Sequence, residues 1–186
     1  MRLDLRDTNR IGATRTLLTS IGILILGVAI HPTYAADAAT SPPVKIAVFD
    51  FELQDATAAA SLLGESTSNA AMMDKVSSEA RRMLAESGRY RLVDVSHVDA
   101  KPVKEKSLRN CEGCEAGIAL QLGADQSLLG VVTKATQTDY YISIQISDAR
   151  TGKVLDRQEA NFAGADDGWA SGVRMLIKHQ ILVSDK

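Results

Sequence analysis

The segment Val44–Glu52, VKIAVFDFE, constrains the fold of this chain more than any other stretch of its sequence. Apolar side chains occupy both sets of alternating positions, Val44, Ile46 and Val48 in one set and Ala47, Phe49 and Phe51 in the other. A strand that is apolar on both faces needs cover on both sides, which is typical of the middle of a sheet in an α/β protein. We therefore expect a central strand here and helices packed against its sheet.

A long helix and a second strand follow this segment. Residues 53–65 show no periodicity and predict a loop. The segment Ser66–Ser87 then places one apolar stripe along a helix, namely Met73, Val76, Ala80, Met83 and Leu84. Gly88 is placed to end this helix in a left-handed conformation, and Tyr90–Val95 predicts the second strand.

Three strand-like segments make up most of the last third of the chain: Gln126–Thr136, Tyr140–Asp148 and Lys153–Ala163. Gly152 supplies a positive φ in the turn before the third, and the segments predict an antiparallel meander with one face toward water. A final helix, capped by Asp166 or Asp167, buries a stripe of Trp169, Val173, Leu176 and Ile177. The element order β-α-β-α-β-β-β-α predicts the α/β class, an α+β sandwich with helices packed on a mixed sheet.

The first 35 residues have the layout of a secretory signal peptide. Four arginines precede the apolar run Leu17–Ile30, and Thr33–Ala35 offers a small-residue cleavage site. The run of 14 residues extends about 21 Å as a helix, short of the ~30 Å of membrane hydrocarbon. We expect cleavage after Ala35, a flexible lead-in at 36–43, one α/β domain at 44–186, and export to the periplasm with no membrane span left.

The composition of the remaining chain limits the chemistry that it can carry. Without its leader the chain holds 17 basic and 21 acidic residues, a formal charge of −4 that opposes binding to nucleic acid or anionic lipid. The remaining histidines, His97 and His179, do not fall in a nucleophile–base–acid arrangement. We therefore predict no catalytic residues, no metal ion and no cofactor.

The CEGC motif at 111–114 is the sharpest local signal in the chain. It opens a short predicted helix over 111–122, with Asn110 as N-cap. In an exported chain with an even number of cysteines, this spacing favours a structural disulfide between Cys111 and Cys114. A thiol-redox pair at the helix N-terminus and half of a metal site are the alternatives.

Two further features are candidates for binding. The carboxylates of Asp50, Glu52 and Asp94 lie at the ends of the first two predicted strands, and parallel neighbours gather such groups at one sheet edge, as a ligand or cation site. Strand-end carboxylates that accept turn N–H groups are the ordinary alternative. The loop at 96–110 is long for a compact domain, which predicts a partner contact through its basic residues Lys101, Lys104, Lys106 and Arg109.

Several motifs occur in the same order as in a family of small secreted bacterial proteins of unknown function. They are IAVFDFEL at 46–53, SGRYRLVD at 87–94, NCEGC at 110–114, LGADQSLLGVVTK at 122–134 and SDARTGKV at 147–154. The chain resembles this family over residues 44–182, including DDGWASGV around Trp169. At greater distance its pattern resembles the N-terminal domain of the Tol translocation protein TolB, the curli secretion protein CsgG and the lipoprotein activators of penicillin-binding proteins.

These resemblances imply a non-enzymatic accessory or interaction module that serves an envelope or periplasmic enzyme system and binds an envelope protein. The closer family implies a periplasmic quinoprotein dehydrogenase system as one candidate. The anchoring cysteine of the lipoprotein relatives and the propeller of TolB do not appear in this sequence. The alternative hypothesis is a periplasmic thiol-redox, small-ligand or cation-binding protein that uses Cys111 and Cys114 or the strand-end carboxylates.

Overall fold

The computed structural model describes residues 41–63, 68–97, 107–164 and 168–183. Its strands are β1 (Val44–Val48), β2 (Glu52–Asp55), β3 (Tyr90–Val93), β4 (Gln126–Lys134), β5 (Asp139–Asp148) and β6 (Val154–Ala163). Its helices are α1 (Ala58–Leu63), α2 (Ser68–Glu86), α3 (Cys114–Gln121) and α4 (Trp169–Leu176). A 3₁₀ turn at Leu108–Asn110 precedes α3, and a π-helical turn at Ile177–Ile181 extends α4. The predicted leader and the predicted caps Asp166 and Asp167 lie outside the described residues.

The six strands form one mixed sheet in the order β3-β1-β4-β5-β6, with β2 paired to β4. β1 runs parallel to both neighbours, with Ile46 opposite Leu92 on one side and Gln126 on the other. β4, β5 and β6 follow as an antiparallel meander. The predicted mixed sheet, with a central first strand, a C-terminal meander and packed helices, is confirmed.

The prediction of a single first strand is wrong, because the chain bends after Val48 and forms two strands. β1 pairs with the start of β4 and β2 with residues 131–134 at its end, so the two short strands follow one another along the same edge of β4. The predicted loop at 53–65 is wrong as well, since β2 extends to Asp55 and α1 begins at Ala58.

Phe51 lies at this bend and is held on the α2 side of the sheet. Its N–H donates to Ser77 Oγ of α2 at 2.9 Å, in a buried position. Its ring occupies the space over Gly130 in β4, where an added Cβ would lie 2.2 Å from Phe51 Cε1. Uninterrupted alternation predicts that Phe51 lies on the same face of the sheet as Ala47 and Phe49. Because of the bend, Phe51 lies on the opposite face.

The main core lies between the sheet and two helices on one face. α2 buries four members of its predicted stripe and half-buries Met83; the four are Met73, Val76, Ala80 and Leu84. α4 and the turn that extends it bury the other predicted stripe, Trp169, Val173, Leu176 and Ile177. Gly88 follows α2 with a φ of 71°, as expected for a residue that ends a helix. Both helical stripes are confirmed.

The opposite face of the sheet is only partly covered. α3 packs there over a second, smaller core of Ala47, Phe49, Leu108, Ala119, Ala124, Leu129 and Ala149. β5 and β6 extend beyond this cover, so the side chain of Tyr141 on β5 stays 49% exposed. The sequence predicts a meander with one face toward water, and that face is the side of β5 and β6 that carries Tyr141.

Candidate functional site

Glu52 at the start of β2 fixes the chain segment that leads into the cysteine motif. Its carboxylate accepts the backbone N–H groups of Leu108 and Arg109 at 2.5 and 3.1 Å. The Arg109 guanidinium donates to the same carboxylate at 3.2 Å, and the Glu52 side chain is only 14% exposed. One side chain thus attaches the 3₁₀ turn to the sheet, and Arg109 is engaged within the protein.

The cysteine motif forms a tight turn closed by a disulfide between Cys111 and Cys114, whose Cα atoms are 5.5 Å apart. Glu112 has a φ of 52° and Gly113 a φ of 98°, so both lie in the left-handed region, which a helix cannot include. α3 therefore begins at Cys114, with Gly113 at its N-cap position. The prediction that the helix begins at Cys111 with Asn110 as its cap is wrong; the Asn110 amide donates to Ser107 Oγ instead.

Glu115 is a buried carboxylate directly behind the disulfide. Glu115 is only 2% exposed, and its Oε1 accepts a long hydrogen bond of 3.5 Å from Gln145 Nε2. One of its oxygens lies within 4.8 Å of the sulfurs of Cys111 and Cys114. In the described parts of the chain this is the one set of three potential metal ligands. Its sulfurs are bonded to each other and cannot serve as thiolates.

An open groove of about 570 Å³ lies beside this turn, over the part of the meander that α3 leaves uncovered. Its floor consists of residues from β4 and β5, among them Val131, Thr133, Tyr141, Ser143 and Gln145. The turn at 109–113 lines one side, and Arg157 and Glu159 of β6 line the other. Hydroxyl and amide groups surround an aromatic ring, the mixture found in surfaces that bind other proteins.

The charges around the groove are unevenly paired. Arg109 is bound to Glu52, and Arg157 lies 2.8 Å from Glu159. Glu112 is exposed and has no ion pair with any described residue, and buried Glu115 accepts its hydrogen bond from the side-chain amide of Gln145. In the part of the chain that the structure describes, the end of the groove at the disulfide turn therefore has two acidic side chains without a cationic partner, Glu112 exposed and Glu115 buried.

The other strand-end carboxylates each bind a local partner. Asp50 accepts a hydrogen bond of 2.8 Å from Arg81 of α2, and Asp55 accepts one of 3.0 Å from the Thr57 N–H just before α1. The Ser96 backbone N–H and hydroxyl hold the pKa of Asp94 below its ordinary value. β1 and β3 are parallel neighbours, as expected. Asp55 and Asp94 accept turn N–H groups, as in the ordinary alternative, whereas Asp50 forms an ion pair with Arg81.

The predicted partner contact through four basic residues falls only partly within the described residues. Lys101, Lys104 and Lys106 lie outside the described residues. Arg109, the fourth member, faces Glu52 rather than solvent, with 25% of its side chain exposed. No helix in the described ranges is both long and apolar enough to cross a membrane.

Three residues at the groove are not identified from the sequence. An aromatic residue that faces water in an alternating strand is the signal that marks Tyr141. The CEGC motif directs attention to its cysteines rather than to Glu112 and Glu115. Glu115 is buried and its hydrogen-bond partner Gln145 is 30 positions away, so no local pattern reveals this environment.

The chain is similar in structure to several solved proteins at low sequence identity. The LpoB C-terminal domain from Salmonella enterica is 17% identical; the match covers 68% of this chain and 87% of that one, with a TM-score of 0.48. Lipoprotein GNA1162 from Neisseria meningitidis is 18% identical, with 77% and 100% covered and a TM-score of 0.47. TolB from Acinetobacter baumannii is 14% identical; the match covers 75% of this chain but 28% of TolB, with a TM-score of 0.44.

The sequence itself matches one family. No curated protein matches the chain. The profile of the family DUF3280, described as "Protein of unknown function (DUF2380)", matches residues 44–181. These residues include β1, the disulfide turn, the whole meander and α4. The chain belongs to this family of proteins of unknown function.

Proposed function

We propose that this protein is a non-enzymatic interaction module of the bacterial envelope that binds a segment of a partner protein in the groove beside the disulfide turn. The observation that carries the proposal is the uncovered floor of the groove, where Tyr141 is 49% exposed among hydrogen-bonding side chains. Tyrosine in a concave surface is among the residues that contribute most to binding between proteins. The partner's segment covers this ring.

The charges at the groove select a basic segment of the partner. Glu112 and Glu115 have no cationic partner among the described residues, whereas Arg109 and Arg157 are already paired with carboxylates. A lysine or arginine at the end near the disulfide turn supplies the missing positive charge, and charge complementarity of this kind contributes to specificity and association rate. The proposed ligand is thus a polypeptide with a basic side chain beside an apolar one.

The proposal also includes the compartment of the protein, which is the periplasm. The arginine-rich leader and the apolar run Leu17–Ile30 support export to the periplasm, with cleavage after Ala35. The intact mass of protein recovered from the periplasm tests this, since cleavage leaves a chain that begins at Ala36. The quinoprotein dehydrogenase system, the CsgG-like resemblance and the contact through Lys101, Lys104 and Lys106 stay predictions.

Affinity capture with matched variants tests the groove. The wild-type protein, Tyr141→Ala and Glu112→Lys are each immobilised and exposed to periplasmic and envelope extract, and the retained proteins are quantified by mass spectrometry. We expect the partner to fall at least about tenfold with either variant, as for residues that dominate an interface. Asp74→Lys carries the same charge change on exposed α2, across the sheet, and serves as the control.

The pattern across these variants decides the matter. A partner retained by the wild type and by Asp74→Lys, but lost by both groove variants, supports the proposal. Equal retention by all four proteins, each shown to be folded by circular dichroism, contradicts it, because the groove then takes no part in binding.

A second candidate function is thiol–disulfide exchange, and the observation that favours it is the position of Glu115. Its carboxylate lies within 4.8 Å of both sulfurs, close enough to accept a thiol proton after small movements. In this reaction a dithiol of a partner protein is oxidised to a disulfide while the 111–114 bridge is reduced, and two protons pass to the new thiols. A mixed disulfide trapped on Cys111 by a Cys114→Ala variant supports this candidate; its absence from cells that contain the variant excludes it.

A further inference from the structure

β6 is an edge strand of ten residues with one neighbour. It pairs with β5 regularly from Ala163 to Asp156, is interrupted by a bulge at Leu155, and has no other described strand outside it. A long strand with a free outer edge presents backbone donors and acceptors that bind another strand readily, and proteins usually protect such edges. The described parts of the chain show no such cover over β6.

The backbone groups that face outward can be assigned from the ladder. The Gly164 N–H donates to the Thr138 carbonyl at 2.7 Å, and the register Tyr140↔Phe162 continues the same ladder. Hydrogen-bonded pairs alternate in an antiparallel ladder, so residues 156, 158, 160 and 162 of β6 bond to β5. The N–H and C=O groups of Arg157, Glu159 and Asn161 therefore point away from the sheet.

The side chains along this edge carry a self-complementary charge pattern. Arg157 and Glu159 lie on the same face of β6, 2.8 Å apart, with 60% and 57% of their side chains exposed. A second β6 strand centred on position 158 places each Arg157 directly opposite the other copy's Glu159. Centring on 157 or on 159 instead places like charges opposite each other, which is unfavourable.

We propose that two copies of this protein pair antiparallel through β6, with the twofold axis passing beside Gln158. In this register Arg157 and Glu159 form hydrogen-bonded backbone pairs as well as two symmetric cross-strand ion pairs. The interface is isologous, with the same strand contributed by both copies, as in most twofold dimers. The two sheets join into one.

An exposed apolar side chain on the edge strand itself gives independent support. Leu155 of β6 is 49% exposed. The second copy covers this side chain.

The pairing places both grooves on one side of the joined sheet, because the twofold axis of an antiparallel strand pair is perpendicular to the sheet. Tyr141 of one copy and Tyr141 of the other then face the same direction. A partner with two copies of a binding segment gains avidity from this arrangement. Arg157 and Glu159 belong both to this edge and to one side of the groove, whereas Tyr141 lies on β5, one strand in from the edge, so Tyr141→Ala tests groove binding apart from dimer formation.

Sedimentation velocity over a range of concentrations tests the dimer directly. The wild-type protein is compared with Arg157→Glu, with Glu159→Arg and with the double variant that carries both changes. Each single reversal brings like charges together at two symmetric positions and raises the dimer dissociation constant by about tenfold or more. The double variant restores opposite charges in exchanged positions and returns dimerisation to near the wild-type value. Asp74→Lys on the exposed side of α2 is the control and leaves the dimer unchanged.

Two results overturn the proposal: a wild-type protein that stays monomeric at all concentrations, or single reversals that dimerise as well as the wild type. The register has its own test, independent of charge. Gln158→Cys places two thiols beside the twofold axis and should form a covalent dimer on mild oxidation, whereas Lys153→Cys at the end of the hairpin should not. Covalent dimer from Lys153→Cys but not from Gln158→Cys contradicts the register.

Discussion

Glu52 and Arg109 form an ion pair of 3.2 Å that ties β2 to the turn in front of the disulfide. The same carboxylate accepts two backbone N–H groups of that turn. Hydrogen bonds to a charged acceptor are about twice as strong as neutral ones, and little of this carboxylate is exposed to competing water. The wall of the groove is therefore positioned by a single residue of the sheet.

Replacement of Glu52 by alanine should lower the free energy of unfolding by about 2–3 kcal/mol, because it leaves Arg109 and two N–H groups without their acceptor. Urea denaturation measures this. Glu86→Ala is the matched control; its pair with Arg82 has side chains 62% and 50% exposed, so its loss should cost about 0.5 kcal/mol or less. Equal costs for the two variants would show that Glu52 does not anchor the turn.

Much of the fold could be predicted because its strongest signals are local. The apolar stripes of α2 and α4 and the alternation in β5 each determine a buried face without reference to the rest of the chain. The bend at Phe51 could not be predicted, because it depends on Ser77 and on the missing side chain of Gly130, both distant in sequence.

The candidate site was less predictable for the same reason. The cysteine spacing indicated the pairing of Cys111 with Cys114, but the left-handed φ of Glu112, which delays the helix, has no sequence signal in a glutamate. The groove exists because α3 is too short to cover β5 and β6. That depends on the strand order rather than on any motif.

Gly130→Ala should destabilise the protein by about 1–3 kcal/mol, because the new methyl group overlaps the buried ring of Phe51. Gly117→Ala in α3 is the control; nothing lies within 4 Å of its added Cβ, and alanine favours the helix by about 1 kcal/mol. Thermal or urea unfolding should therefore change in opposite directions for the two variants. A Gly130→Ala variant as stable as the wild type would contradict the claim that the Phe51 ring packs directly over Gly130 at the bend.

The stability of the protein should depend on Glu79 in a defined range of pH. Hydrogen bonds from Arg82 and Arg174 lower the pKa of Glu79 from 4.5 to about 2. Because this pKa is lowered in the folded state, ionised Glu79 stabilises the fold above pH 4.5, and this stabilisation is lost as the pH falls toward 2. Glu79→Gln should cost about 1–2 kcal/mol at pH 7 and almost nothing near pH 2. A difference between variant and wild type that stays constant over this range would contradict the assignment.

The double variant Cys111→Ser, Cys114→Ser should remain folded and keep its partner. In the chain-entropy model a covalent loop this small contributes about 2 kcal/mol, so the melting temperature should fall by several degrees. Calorimetry of oxidised and variant protein measures this. A mixture of reduced and oxidised wild-type protein in the periplasm would instead favour the thiol-exchange function.

Photo-crosslinking from the groove in living cells tests the central claim most directly. A photoreactive phenylalanine analogue replaces Tyr141, and a control protein carries it at Asp74 on α2. We predict a covalent adduct from position 141 with one envelope protein, mapped by mass spectrometry to a segment that contains lysine or arginine, and no such adduct from position 74. The absence of any adduct from folded protein at position 141, or the same adduct from both positions, would contradict binding in the groove.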